Sequence, residues 1–282
     1  RELNAYLAAV ANGQDSADAA AASFSGGLEA IEKEVKAYLR GRKIGTMRLR
    51  PGSFPSEFPI SVAALPADEE ALIEARMRLL SSPDQAALEE AWDVVTAALE
   101  RFPDSATAHV TAAEVLILKL QSDAALDHLA RALAARPGHA RAHALRARLQ
   151  LRMASEAGPE EAPRWWAEAL ESIQAAKLAD TTDPLPHYLH YDYLRSRDEP
   201  IDEVAFASAV KAFTRLPHYP AFRYALADVY AARGQFSQAA ELLKPLAFDA
   251  HESEGRSLAR RSYEMMRELA AEEAADADPE AG

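Results

Sequence analysis

Two phrases of this sequence resemble each other at a distance of 34 residues. The phrase AWDVVTAALERFPDSA contains Pro103, and the phrase ALDHLARALAARPGHA contains Pro137. Residues spaced by three or four lie on one face of a helix, and proline ends a helix. Each phrase therefore predicts an amphipathic helix that stops before its proline. Small and apolar residues precede the two prolines at the same offsets: Ala91, Val95 and Ala98 in the first phrase, Ala125, Leu129 and Ala132 in the second.

A period of this length is typical of repeated helical hairpins, in which each hairpin buries its apolar face against its neighbours. The third unit is longer than the others because SEAGPEEAPRW expands its turn. The amphipathic stretch GRSLARRSYEMMRELAAEE predicts a final helix that covers the open end of the last unit. The pattern predicts about five units, at 68–103, 104–137, 138–183, 184–217 and 218–251.

The repeat resembles the tetratricopeptide repeat, in which small residues let two helices pack closely. Ala113 and Ala227 match the small residue of the first helix, and Ala125 and Ala239 match that of the second. Gly234 matches the turn, since glycine accepts the backbone angles that a tight connection needs. The resemblance implies an all-α fold, a right-handed α-solenoid that binds a peptide or protein segment along its concave face. Three positions depart from the family pattern: His109 and His143 replace an aromatic residue, and Arg146 replaces an apolar one.

Composition excludes several other classes of function. A net charge of −13 argues against nucleic-acid binding, which requires cations that displace counterions from phosphates. With no cysteine, the chain has neither a disulfide scaffold nor a thiolate zinc site, and it is compatible with a bacterial cytoplasm or periplasm. No apolar run approaches the roughly 20 residues that span a bilayer. We expect no cofactor, and oligomeric state stays open, with self-association through an exposed edge as one alternative.

The first part of the chain follows a different pattern. Residues 1–66 predict a small helical segment followed by a β-like linker, KIGTMRLRPGSFPSEFPISVAALP, since prolines and alternating apolar residues favour short strands or extended chain. Residues 67–274 would form the repeat domain, and the acidic residues 275–282 a disordered tail. LNAYLAAVANGQDSADAAAASFSGGLEAIEKEVKAYL resembles the end of the catalytic region of bacterial zinc metallopeptidase-like proteins of the gluzincin type. The chain begins with Arg1 rather than Met, so we expect a segment upstream.

No catalytic motif is present in the sequence. His251 and Glu252 begin like a zinc motif, but Gly255 stands where the second histidine would be. The pairs His139 with His143 and His187 with His190 have helical spacing but no evident third ligand, so we expect neither pair to bind a metal. The sequence predicts a non-catalytic interaction scaffold. The alternative is the C-terminal portion of a metallopeptidase-like protein whose zinc domain lies upstream.

Three arginines suggest what the groove binds. Arg141, Arg148 and Arg152 fall within a narrow arc of the helix RAHALRARLQLRM, and guanidinium groups match carboxylates in bidentate geometry. The lysine and asparagine of the carboxylate clamp found in chaperone-binding members of the family are absent, because Val110 and Glu114 occupy those places. A chaperone C-terminus is therefore not the expected ligand. The three arginines predict instead an acidic or C-terminal peptide segment. The alternative is that the arginines pair with acids on neighbouring helices.

Aromatic residues are the other candidates for the groove. Tyr188 and Tyr191 share a helical face in HYLHYDYL. Tyr224 begins the stretch YALADVYAARGQFSQAAELLKPLA of the fifth unit, which predicts two short helices joined by a sharp turn. Tyrosine is favoured in binding hot spots, which makes these three candidates for ligand contacts. The alternative is that most of them belong to the core between repeats.

Overall fold

All regular structure in the described residues is α-helical. The computed structural model describes residues 1–14, 16–41, 62–81, 83–197, 201–249 and 254–277. These residues contain fifteen helices and no strand, which confirms the all-α prediction. The helices are α1 (Glu2–Ala11), α2 (Ser16–Ser23), α3 (Gly27–Arg40), α4 (Ala67–Glu70), α5 (Ile73–Leu79), α6 (Gln85–Arg101), α7 (Ala106–Leu118), α8 (Ser122–Ala135), α9 (Ala140–Glu156), α10 (Ala162–Ala179), α11 (Leu185–Ser196), α12 (Glu203–Arg215), α13 (Pro220–Ala232), α14 (Phe236–Ala247) and α15 (Glu254–Ala277).

The chain divides into two compact units. One unit comprises residues 63–229, from α4 to most of α13, and the other comprises residues 1–62 together with 230–282. The predicted domain boundaries near residues 66 and 274 remain predictions. The predicted strands between residues 42 and 61 lie outside the described residues. Helix α15 extends three residues into the predicted acidic tail, and the last five residues are not described.

In the unit of residues 63–229, consecutive helices pack as antiparallel hairpins: α5 with α6, α7 with α8, α9 with α10 and α11 with α12. Side-chain caps mark where helices begin, since Asp84, Ser105 and Asp202 accept hydrogen bonds from backbone N–H groups in the first turn of α6, α7 and α12. The first helices of successive hairpins also contact each other, so α5, α7, α9 and α11 form one wall.

Small residues bring the helices of each hairpin close together. Ala91, Ala113, Ala125 and Ala142 are fully buried, and larger residues such as Leu129 fill the remaining space. The core clusters join each hairpin to the next, which is the nearest-neighbour packing that a repeat requires.

Two turns between consecutive helices each contain a residue with a positive φ. Gly234, between α13 and α14, has φ of +72°, which confirms the reason for a glycine there. Leu120, between α7 and α8, has φ of 59° although it is not a glycine. A side chain at such a φ is strained, so the turn geometry, rather than the residue type, is what the two repeats share.

The positions that depart from the family pattern have polar partners. The Nε2–H of His109 donates to the carbonyl of Pro103 at 2.9 Å, and His143 makes the equivalent bond to Pro137 at 2.7 Å. His109 is buried, and its Nδ1 lies 2.9 Å from Nδ1 of His128. Both histidines therefore tie the end of one repeat to the start of the next.

Arg146 belongs to a polar network between α9 and α10. Its Nε–H donates to Ser172 at 2.9 Å, and the Ser172 hydroxyl donates to Gln150 at 2.7 Å. Gln150 in turn donates to Glu168 at 3.1 Å. The buried serine and glutamine are satisfied by this chain of bonds, which explains how a charged residue replaces an apolar one in the third unit.

In the other unit, α1, α2 and α3 pack in succession, and α14 packs along α15. Gly13 has φ of +89°, and a Cβ placed there would lie 3.3 Å from the ring of Phe248. The ring of Phe248 also contacts Tyr263 edge-on, at 5.2 Å between centroids. The N-terminal segment is thus packed against the end of α14 within this unit.

Candidate functional site

A cleft opens beside α4, α5, α7 and α9 in the unit of residues 63–229. Its volume is ≈ 640 Å³, which is in the range of ligand-binding clefts. The lining residues come from α4, α5 and the turn after it, α7, α9, and the turn between α8 and α9. They are Glu69, Arg76, Leu79, Leu80, Thr107, Val110, Thr111, Glu114, Leu118, Arg136, His139, Arg141 and Arg148.

The cleft is cationic in a chain that is strongly acidic overall. Four arginines line it, against the two glutamates Glu69 and Glu114. Arg141 forms an ion pair with Glu114 on α7, with 2.8 Å between Nη2 and Oε1. The guanidinium groups of the other three arginines form no hydrogen bond or ion pair with any residue that the structure describes. These are Arg76, Arg136 and Arg148.

Arg148 lies in the middle of α9 and is one of the four arginines of the cleft. Its side chain is exposed to solvent, yet protein atoms surround it, and this partial loss of water lowers the pKa of its guanidinium group. The nearby cation of Arg141 lowers the pKa further, and the charge of Glu114 acts in the opposite direction. A carboxylate brought beside Arg148 would relieve both unfavourable effects.

The three arginines predicted from the sequence are not equivalent in the structure. Arg141 and Arg148 line the cleft, whereas Arg152 is half-buried beside it. Arg152 donates to the hydroxyl of Ser122, and it lies 4.0 Å from the carboxylate of Glu156, one turn along α9. Arg148 is therefore the only one of the three without a partner among the described residues.

Two of the three predicted tyrosines, Tyr188 and Tyr191, belong to an aromatic cluster with Phe222 on α11 and α13. Tyr188 is half-buried, with its ring 5.3 Å from Phe222 and 6.3 Å from Tyr191. Tyr191 is buried, and its hydroxyl donates to Asp228 at 2.7 Å. Tyr224 is half-buried on α13, and burial raises its pKa.

Several residues of this region were not predicted from the sequence. Arg76, Arg136, Leu80 and Leu118 line the cleft, and Tyr219 lies near Arg148 and packs on Phe222 at 4.7 Å. The predicted repeat implies that the first helices of successive units, α5, α7 and α9, lie side by side, and this is part of the information needed to locate the cleft. Which side chains meet across three helices depends on packing that the register does not encode.

Three of the four histidines that were considered as metal ligands, His139, His143 and His190, form hydrogen bonds within the protein. His139 caps α9, because its Nδ1 accepts from the backbone N–H of Ala142 at 3.3 Å, and His190 contacts the hydroxyl of Ser208 at 2.9 Å. Among the described residues, no three histidine, cysteine, aspartate or glutamate side chains are grouped as a metal site would require. His251 lies outside those residues. None of the helices described has the length and apolarity to cross a bilayer.

Residues 202–261 match the family model of the tetratricopeptide repeat. Solved structures extend the similarity over most of the chain. A thermophilic tetratricopeptide-repeat protein from Thermus thermophilus aligns with 70% of this chain and 98% of its own, at 18% identity and a TM-score of 0.58. The fold is that of tetratricopeptide-repeat proteins.

Two further structures share this tetratricopeptide-repeat fold. PilF of Pseudomonas aeruginosa covers 75% of this chain and 92% of its own, at 19% identity and a TM-score of 0.54. A tetratricopeptide-repeat protein from Parabacteroides merdae covers 76% and 79%, at 14% identity and a TM-score of 0.51. No curated protein matches the sequence. The resemblance of residues 1–40 to metallopeptidase-like proteins stays a prediction.

Proposed function

We propose that this chain is a non-catalytic scaffold that binds an acidic peptide segment in the cleft between α5, α7 and α9. Tetratricopeptide-repeat folds bind proteins or peptides on surfaces built by successive hairpins. The observation that carries the proposal is that one cleft of an acidic protein contains three guanidinium groups, those of Arg76, Arg136 and Arg148, with no hydrogen-bond or ion-pair partner among the described residues. Unpaired cations gathered in a concave surface favour an anionic partner through both affinity and association rate.

The ligand is a peptide rather than a small anion because of the size and length of the surface. The cleft of ≈ 640 Å³ spans four helices, α4, α5, α7 and α9, whereas a single carboxylate needs only one guanidinium group. Tyr188 on α11 and Tyr219, directly before α13, offer further aromatic surface to an extended peptide. The buried Tyr191 lies beneath this surface, with its ring 6.3 Å from that of Tyr188.

Fluorescence anisotropy with labelled ten-residue peptides tests the proposal. One peptide carries glutamates, a second carries glutamines at the same positions, and each is made with a free and with an amidated C-terminus. We expect the glutamate peptide to bind more tightly, with an affinity that falls as salt rises. Amidation separates recognition of a C-terminal carboxylate from recognition of acidic side chains.

The Arg148→Gln variant should weaken binding of the glutamate peptide about tenfold or more, because charge-assisted hydrogen bonds contribute about 1.5–3 kcal/mol. Arg131→Gln is the matched control, since Arg131 is an exposed arginine on α8 that does not line the cleft. The melting temperature of both variants should stay near that of the wild type. Equal affinity for the glutamate and glutamine peptides would overturn the proposal.

A further inference from the structure

The cleft has an apolar side as well as a cationic one. Leu80, after the end of α5, is 87% exposed, and Leu118, at the end of α7, is 47% exposed. Both line the same cleft as Arg148, together with the half-buried Leu79. A single exposed leucine is ordinary on a protein surface, but several that share a concave surface form an apolar patch of the kind that binding sites contain.

The position of the leucines relative to the arginines is set by the helix order. Helix α7 contacts α5 on one side and α9 on the other. Leu80 and Leu118 come from the ends of α5 and α7, whereas Arg141 and Arg148 come from α9. A peptide that runs from the C-terminal ends of α5 and α7 to α9 therefore passes from these two leucines to these two arginines, and Arg76 on α5 adds a cation on the leucine side.

From this arrangement we infer that the cleft recognises a peptide in which a bulky apolar side chain and an acidic side chain lie about three residues apart. The apolar side chain packs on Leu80 and Leu118, and the carboxylate binds Arg148. Packed helices lie about 8–10 Å apart, and an extended chain advances about 3.3–3.6 Å per residue, so about three residues join the two contacts. The inference rests on the proposed function and adds the second determinant of specificity.

An acidic side chain of the ligand does not by itself explain why leucines line the cleft. A carboxylate can satisfy Arg148 without covering Leu80, and an acidic peptide without apolar residues would leave both leucines in water. Burying a leucine-sized side chain against this surface adds affinity without any further charge. The apolar contact therefore discriminates among the many acidic segments that a cationic cleft would otherwise bind equally.

A set of four labelled peptides tests the inference by anisotropy. The set combines leucine or serine at one position with glutamate or glutamine three residues later, in a background of glycine and serine. On the wild-type chain, the leucine–glutamate peptide should bind about tenfold tighter than the serine–glutamate peptide, as expected for burial of one leucine side chain. The Leu80→Ser, Leu118→Ser double variant should reduce that preference to less than about twofold.

Leu178→Ser is the matched control, because Leu178 is 83% exposed on α10 and lies outside the cleft. It should leave the preference unchanged. If the double variant unfolds, the single Leu80→Ser variant replaces it, since Leu80 is the more exposed of the two. Equal binding of the leucine–glutamate and serine–glutamate peptides overturns the inference and leaves the proposed function standing. Failure of both glutamate peptides to bind above the glutamine peptides overturns the proposed function and the inference with it.

Discussion

Two histidines on α11 should make the stability of the unit formed by residues 63–229 sensitive to acid. Burial is the main cause that lowers the pKa of His187 from 6.5 to about 4, and the charges of Lys177 on α10, of Lys211 and Arg215 on α12, and of His190 contribute to the same shift. Burial and Lys177 lower the pKa of His190 to about 4 as well, with a partial opposing effect of Asp202. Both rings are therefore neutral in the folded protein well below pH 6.5.

The direction in which stability changes with pH follows from the number of protons that the folded and unfolded chains bind. The unfolded chain takes up protons on these histidines below about pH 6.5, whereas the folded chain does so only near pH 4. Their contribution to stability is therefore complete above pH 6.5 and is lost as pH falls from 6.5 toward 4. At about 1.4 kcal/mol per pKa unit, each histidine should cost about 2 kcal/mol at pH 5. Because solvent still reaches both rings, we halve this value and expect about 2 kcal/mol for the pair.

The test compares the wild type with the His187→Gln, His190→Gln double variant. Glutamine stays polar but takes up no proton over this range. Urea unfolding at pH 8, 7, 6 and 5 can be followed by tryptophan fluorescence, since Trp92, Trp165 and Trp166 all lie in the unit of residues 63–229. The wild type should lose about 2 kcal/mol more than the variant between pH 8 and pH 5.

His218→Gln serves as the control, because His218 is exposed in the turn before α13. Its pH profile should follow that of the wild type. Identical pH profiles for the wild type and the double variant would refute the reasoning. So would titration of both rings near pH 6.5 when the folded protein is followed by nuclear magnetic resonance.

Two further predictions concern the repeat itself. Ala125→Leu should lower the free energy of unfolding by about 1–3 kcal/mol, because Ala125 is fully buried and overpacking forces the helices apart. Urea melts should show no such loss for Ala130→Leu on the exposed side of the same helix, and an unchanged midpoint for Ala125→Leu would show that the assigned register is wrong. Leu120→Gly should stabilise the chain by up to about 1 kcal/mol, since it removes the strain of a left-handed backbone at the entropic cost of glycine. The same change at Leu178, in the helical backbone of α10, should destabilise it instead, and a loss of stability in both variants would contradict the assignment of strain to Leu120.

Local sequence features determined the helices and where they end. Pro103 and Pro137 follow α6 and α8 as the repeat period predicts, because proline acts on the backbone immediately before it. Gly234 identified a turn for the same kind of reason, since its freedom to adopt a positive φ is a property of the residue alone. The expanded turn of the third unit was also predicted, and α9 and α10 are separated by residues 157–161.

Tertiary structure decided the features that depend on residues far apart in the sequence. The sequence placed Arg141, Arg148 and Arg152 on one helical face, but their separate partners on α7 and α8 leave only Arg148 free among the described residues. Its residue type made Tyr191 a candidate for ligand contacts, yet its side chain is buried and its hydroxyl donates to Asp228, 37 residues away.

The same distinction applies to the turn at Leu120 and to the cleft itself. Nothing about a leucine predicts a left-handed backbone, and Leu120 adopts one because the packing of α7 against α8 outweighs the local preference. Leu80, Leu118 and Arg148 come from three different hairpins and meet in one cleft only after those hairpins stack. Helix periodicity is a property of neighbouring residues and can be read from the sequence, whereas the composition of a binding surface depends on interhelical distances that exist only in the folded chain.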